Sequence, residues 1–296
     1  MSSNESASPA KPIIEIQPPS SEQRSSVAAT PGNPDEPPWG VPLALLTWLI
    51  SVALLLIVPL LAIVPYVLYR IVLLGSTEGL GNDTDLIFIS ILAVFPAHVL
   101  TFLIVWLLVT NRGRLPFWQT LGWSWPENFG PWKSVGLAVL LLGTGWLITW
   151  FLGGSETQLD QIIKSSLKTR FATAFLAGLT APIVEELIYR GVLYSALQRT
   201  LGMLWAVAVV SILFTGVHVV QYYNNLGVIA VIAVVSISLT LVRARTGRIL
   251  PSYVMHLVFN GVQAVILVLQ PFVEKPAGEQ KTVAALLLQS LSRLLP

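Results

Sequence analysis

Glu185, Glu186 and Arg190 stand in "APIVEELIYRG" (181–191), inside one of the most apolar stretches of the chain. An ionised side chain at the centre of a membrane-spanning helix costs roughly 3 kcal/mol on insertion scales, so three of them together need a reason. Glu186 and Arg190 are four apart, on one helix face, and can pair. Glu185 points about 100° away and needs another partner or a water-filled cavity. All three histidines, His98, His218 and His256, lie in or at the edge of hydrophobic runs. His218 closes "FTGVH" (214–218). His256 opens "HLVFN" (256–260), whose spacing stacks His256 and Asn260 on one helix face. These are the parts that peptide-bond hydrolysis needs. A carboxylate in a low-dielectric pocket is a strong base toward a water, and Asn or imidazole N–H groups can stabilise an oxyanion. Interhelical hydrogen bonding is the plainer role for His and Asn inside a membrane. No positioned Ser–His–Asp set is evident, so nothing points to an acyl-enzyme.

The elements that must carry these residues are membrane helices. The 296 residues are 54% hydrophobic and 11% charged, about half the charge fraction of an ordinary soluble domain. Seven apolar spans are expected near 42–73, 86–110, 132–152, 171–199, 203–219, 226–242 and 250–270. The expected fold is an all-α, polytopic transmembrane bundle with interfacial amphipathic helices. Pro59 and Pro65 predict a kink or an interfacial end in the first span. Residues 1–38 are rich in Ser, Pro, Glu and Asn and read as a disordered polar tail. Residues 39–170 read as N-terminal spans plus an interfacial helix, 171–271 as the core that carries the motifs, and 272–296 as an interfacial amphipathic segment. In 154–170, Leu159, Ile162, Ile163 and Leu167 fall at helical spacing and predict a helix on the membrane surface. A tryptophan-rich loop, 114–132, suits an interfacial belt.

The net charge of +2 gives no reason to expect a nucleic-acid partner, and the absence of cysteine excludes disulfides and thiolate chemistry. The arginines near 111–131, 199–202 and 243–249 place those loops and the N-terminus in the cytoplasm, with the plasma (inner) membrane as the expected location. Lys164, Lys168 and Arg170, before the fourth span, dissent.

"EELIYR", "FTGVH" and "HLVFN" follow the order E-E-x-x-x-R, F-x-x-x-H, H-x-x-x-N, each on its own hydrophobic span. In this, residues 171 to 270 resemble the CPBP family of intramembrane proteases, which includes type II CAAX prenyl endopeptidases, bacteriocin-processing enzymes and abortive-infection-like proteins. The resemblance implies an endopeptidase acting on a membrane-associated peptide or lipidated protein. Glu185 would activate the water and His218 would position it or share its proton. His256 and Asn260 would donate to the oxyanion, while Glu186, Arg190 and Phe214 would shape the site or hold substrate. A zinc held by Glu185, His218 and His256 is conceivable. H-E-x-x-H is absent and His256 is already assigned with Asn260, so a metal-independent glutamate mechanism is preferred. The rivals are a transporter or channel using the midplane Glu and His residues, and a family member that acts by interaction without cleavage. His98, in "FPAHVL", matches no motif and reads as structural or cavity-lining. One conflict arises: the span boundaries put His218 and His256 about 13 Å apart in depth.

Overall fold

The computed structural model describes residues 33–153 and 156–273. Most of the polar tail and nearly all of the C-terminal segment expected at the interface lie outside the described residues. Seven helices are long and apolar enough to cross a membrane. They are α1 (Val41–Leu74), α2 (Thr84–Val109), α4 (Pro131–Leu152), α6 (Leu167–Leu201), α7 (Met203–Tyr222), α8 (Leu226–Thr246) and α9 (Leu250–Val273). Two short helices intervene, α3 (Phe117–Thr120) and α5 (Gln158–Ser165). No strand occurs among the described residues, and the chain is an all-α polytopic membrane bundle.

Burial sorts the helices into an outer and an inner set. In α1, 34 residues long, only Ala44, Thr47 and Ser51 are buried, so most of its leucines face outward. At 1.5 Å per residue it is about 51 Å long, more than a hydrocarbon core of about 30 Å, so it must tilt or run past the core. Pro59 and Pro65 lie within this one continuous helix. By contrast α6 and α8 are half buried along their apolar windows, and they carry the polar residues of the interior. Small residues let neighbours approach: a Cβ on Gly178 of α6 would stand 2.6 Å from Cβ of Ala264 in α9.

The junction before α6 differs from the expected surface helix. Thr157 and Asp160 form a capping box that starts α5, and Ser166 caps a new helix by accepting from Thr169 N–H. Leu167 therefore opens α6 instead of extending the amphipathic face. Lys168 and Arg170 lie in the first turns of the span, not in the loop before it. Lys168 pairs with Asp85 and Lys164 with Glu156. Nearby, Asp83 caps α2 and pairs with Arg70 at 2.6 Å. Burial works against its ionised form. Hydrogen bonds from Tyr66 and from the N–H groups of Leu86 and Asp85, with the Arg70 charge, outweigh this and hold Asp83 below the usual carboxylate range.

The opposite ends of the helices are tied together. Ile249, just before α9, is wholly buried and donates its N–H to Gly122 O at 3.1 Å. A run of ring contacts from Phe102 through Phe117, Trp118 and Trp123 reaches Tyr253. The loop before α9 is thereby drawn into the protein. Residues 33–38, at the end of the segment read as tail, and the adjoining Trp39 pack on the same ends. Trp39 donates to Val192 O, Gln198 to Asp35 O and Arg199 to Pro37 O, while Arg243 pairs with Asp35 at 2.8 Å. Arg243, counted by sequence as a loop charge, is in fact buried in the last turn of α8.

Candidate active site

The site is built around an irregular helix. Within α6, two wide π-helical stretches, Leu176–Thr180 and Glu186–Leu193, flank a short α-helical piece, Ala181–Glu185. Wide turns of this kind are rare and concentrate at functional sites. They change the helical register and disturb the regular pairing of N–H and C=O groups, so side chains from other helices can take up the carbonyls. Asn260 of α9 does so, donating Nδ2–H to Ala177 O at 3.0 Å.

Glu186 and Arg190 are both fully buried, with Nη1 to Oε1 at 3.0 Å. All three nitrogens of the guanidinium donate. Nη2 donates to Ser236 O at 3.1 Å and to Ser236 Oγ at 3.2 Å, and Nε donates to Thr240 Oγ1 at 3.3 Å. Its carbon lies 4.9 Å from the centre of the Phe214 ring. Ser236 and Thr240 of α8 were not singled out by sequence. A four-residue polar spacing inside an apolar span was the available signal.

His256 joins the two acids. Its Nδ1 lies 3.1 Å from Glu186 Oε1, and its Nε2 faces Glu185 Oε2 at 3.6 Å, beyond hydrogen-bond length. Glu186 is closed in on every side, whereas the Glu185 side chain keeps 23% of its surface open. Phe214 of α7 is the hub. Its ring contacts Tyr189, His218 and His256, with centroids at 4.9, 4.8 and 6.2 Å. Thus both histidines reach one aromatic ring, and the depth conflict expected from the span boundaries does not arise.

His218 Nδ1 lies 2.8 Å from Phe214 O. A carbonyl only accepts, so Nδ1 carries the proton, and in the neutral ring Nε2 keeps a lone pair. Asn260 and His256 share a helix face but have separate partners, Ala177 O and Glu186. His98 of α2 is buried against α6, with Nδ1 2.8 Å from Thr180 Oγ1. This partner, 82 residues away in the chain, has no sequence signature. Among the described residues no group of three His, Asp or Glu side chains is placed to hold a metal ion. Nδ1 of His256 lies on the Glu186 carboxylate and Nδ1 of His218 on a carbonyl, so in each ring Nε2 is the nitrogen left for another partner.

Searches of curated proteins and of solved structures gave no match. The segment that carries all three motifs and both wide turns, residues 167–262, matches the family model described as Type II CAAX prenyl endopeptidase Rce1-like, within the CPBP family that those motifs resemble.

Proposed function

We propose that this integral membrane protein cleaves a peptide bond of a membrane-associated, CAAX-type substrate with a water activated by Glu185. The observation that carries the reading is the unequal fate of two adjacent acids. Glu186 is locked between Arg190 and His256, while Glu185 stands partly open beside His256. A general base must have an oxygen open to a water; Glu186 Oε2 has no hydrogen-bond partner but is buried, and of the two only Glu185 is open.

In this mechanism Glu185 takes a proton from the water as the oxygen attacks the scissile carbonyl. The lone pair on His218 Nε2 accepts a hydrogen bond from the same water and aims it. Asn260 has a second amide N–H beyond the one given to Ala177, and it donates this to the oxyanion; His256, its Nδ1–H held by Glu186, has no N–H left for this in the neutral ring, contrary to the expected pairing of the two. Collapse of the tetrahedral intermediate breaks the C–N bond, and the proton held by Glu185 passes to the leaving amine. Glu186 and Arg190 fix the register of the second wide turn and the orientation of His256. The family match over 167–262 favours this reading over a transporter.

Cleavage of an internally quenched, prenylated CAAX peptide by the purified protein in phosphatidylcholine vesicles tests the proposal. Activity is expected to survive dialysis against 1,10-phenanthroline and EDTA unchanged. Loss on chelation with recovery on added zinc would overturn the metal-independent route.

We further place the N-terminal side of α1 and the 243–248 region in the cytoplasm, as the arginine distribution supports. The chain has no cysteine, so single cysteines report cleanly. In right-side-out vesicles an impermeant maleimide is expected to label G79C and spare R248C. The reverse pattern would invert the topology.

A further inference from the structure

One cavity lies apart from the residues of the mechanism. It has a volume of about 420 Å³ and sits between residues 33–34, the 119–124 stretch and the loop before α9. Its polar lining is Asn33, Gln119, Ser124 and Arg248, and among the described residues that line it none is acidic. The backbone of Arg248 is tied to the Thr246 hydroxyl through both its N–H and its C=O. Its guanidinium, by contrast, has no hydrogen-bond or ion-pair partner among the described residues. Asp35, next to Pro34 in the chain, is already paired with Arg243 at 2.8 Å. A guanidinium with its donors unspent, beside a polar cavity, suits a carboxylate, which it can bind through two parallel hydrogen bonds.

The cavity is fixed to the helix that carries His256. Gly122 O accepts from Ile249 N–H at 3.1 Å, and Pro34 packs so closely on Gly122 that a Cβ there would stand 2.9 Å away. Trp123, another lining residue, meets the Tyr253 ring at 4.8 Å, and Tyr253 and His256, three apart, share a face of α9. Arg248 and His256 are eight residues apart, about 12 Å at the rise of a helix. A fully extended tripeptide spans about 10 to 11 Å. We propose that this cavity receives the C-terminal carboxylate of the substrate and that Arg248 binds it. This rests on the CAAX reading. A CAAX chain cut after its prenylated cysteine releases a tripeptide, and from a scissile bond at Glu185 and His256 the tripeptide's free carboxylate comes to the level of Arg248. Arg248 thereby makes an endopeptidase selective for a bond three residues from a chain end.

The test compares two forms of the same prenylated peptide in phosphatidylcholine vesicles, one ending in a free carboxylate and one in a carboxamide. The unaltered protein is expected to favour the carboxylate form by about tenfold to a hundredfold in kcat/KM, the size of a charge-assisted pair. Arg248→Gln is expected to cleave both forms alike and to keep the thermal midpoint of the unaltered protein, and Arg248→Lys to keep part of the preference. A preference that survives in R248Q, or the lack of one in the unaltered protein, would overturn the proposal. Loss of the preference when phosphatidylglycerol is added would assign the cavity to a lipid phosphate and overturn it too. Binding keeps the proposal separate from the mechanism. E185Q is expected to bind the carboxylate form more tightly than the carboxamide, and E185Q/R248Q to bind both alike. Full cleavage by E185Q would remove the base assignment while leaving the carboxylate preference standing.

Discussion

Glu185→Gln lowers kcat for peptide cleavage by about a thousandfold and leaves the protein folded, with KM little changed. The size follows from removing the group that accepts the proton, a step worth about two to four orders of magnitude. Retained folding follows from the geometry. Glu185 is partly open, and its nearest ring nitrogen, on His256, stands at 3.6 Å, so an amide of the same shape costs little there. The neighbouring substitution separates chemistry from architecture. Glu186→Gln removes the charge that offsets a fully buried guanidinium, so it is expected to lower the thermal midpoint first and activity as a consequence. Thermal unfolding in detergent, run beside the cleavage assay, distinguishes the two. If E185Q cleaves at the unaltered rate, or if E185Q and E186Q lose stability alike, Glu185 is not the base.

The seven spans were legible because a membrane helix advertises itself locally: some twenty apolar residues in a row need no knowledge of the partner. The Glu186–Arg190 pair was legible for the same reason, being set by the four-residue repeat within one helix. What was hidden depends on contacts between helices or on a change of helical register. "LAGLT" (176–180) looks like any apolar helix, and nothing in its residue types announces the wide turn that Asn260 and His98 grip from two sides. Arg243 was read as a topology charge because its partner, Asp35, lies more than two hundred residues earlier. The expected separation of His218 and His256 failed for a related reason. Span boundaries drawn from hydropathy assume upright helices ending at the surface, and they carry no sign that His218 and His256 meet the same Phe214 ring.

Arg190→Met is expected to cost about 3–5 kcal/mol of stability, the largest structural effect of any single substitution in the site. Methionine matches the length and much of the volume of arginine, so the cost is not mainly a cavity. It arises from what is left behind. The Glu186 carboxylate remains wholly buried with its cationic partner gone, and the hydroxyl oxygens of Ser236 and Thr240 lose their guanidinium donors together, while the Ser236 carbonyl keeps the Thr240 hydroxyl at 2.7 Å. A buried charge stripped of its partner is far more costly than a pair removed as a unit. The double variant E186M/R190M should therefore regain most of the thermal midpoint lost by R190M. Activity should not return with it, because Nδ1 of His256 then has no acceptor and the ring is free to turn away from Glu185. Thermal unfolding and cleavage measured on R190M, E186M and the double variant form a complete cycle. Additive losses of stability, with the double variant as unstable as the sum of the singles, would show that Glu186 and Arg190 do not act as a pair. Recovery of cleavage together with stability would show that the pair serves the fold alone and that His256 does not depend on it for its orientation.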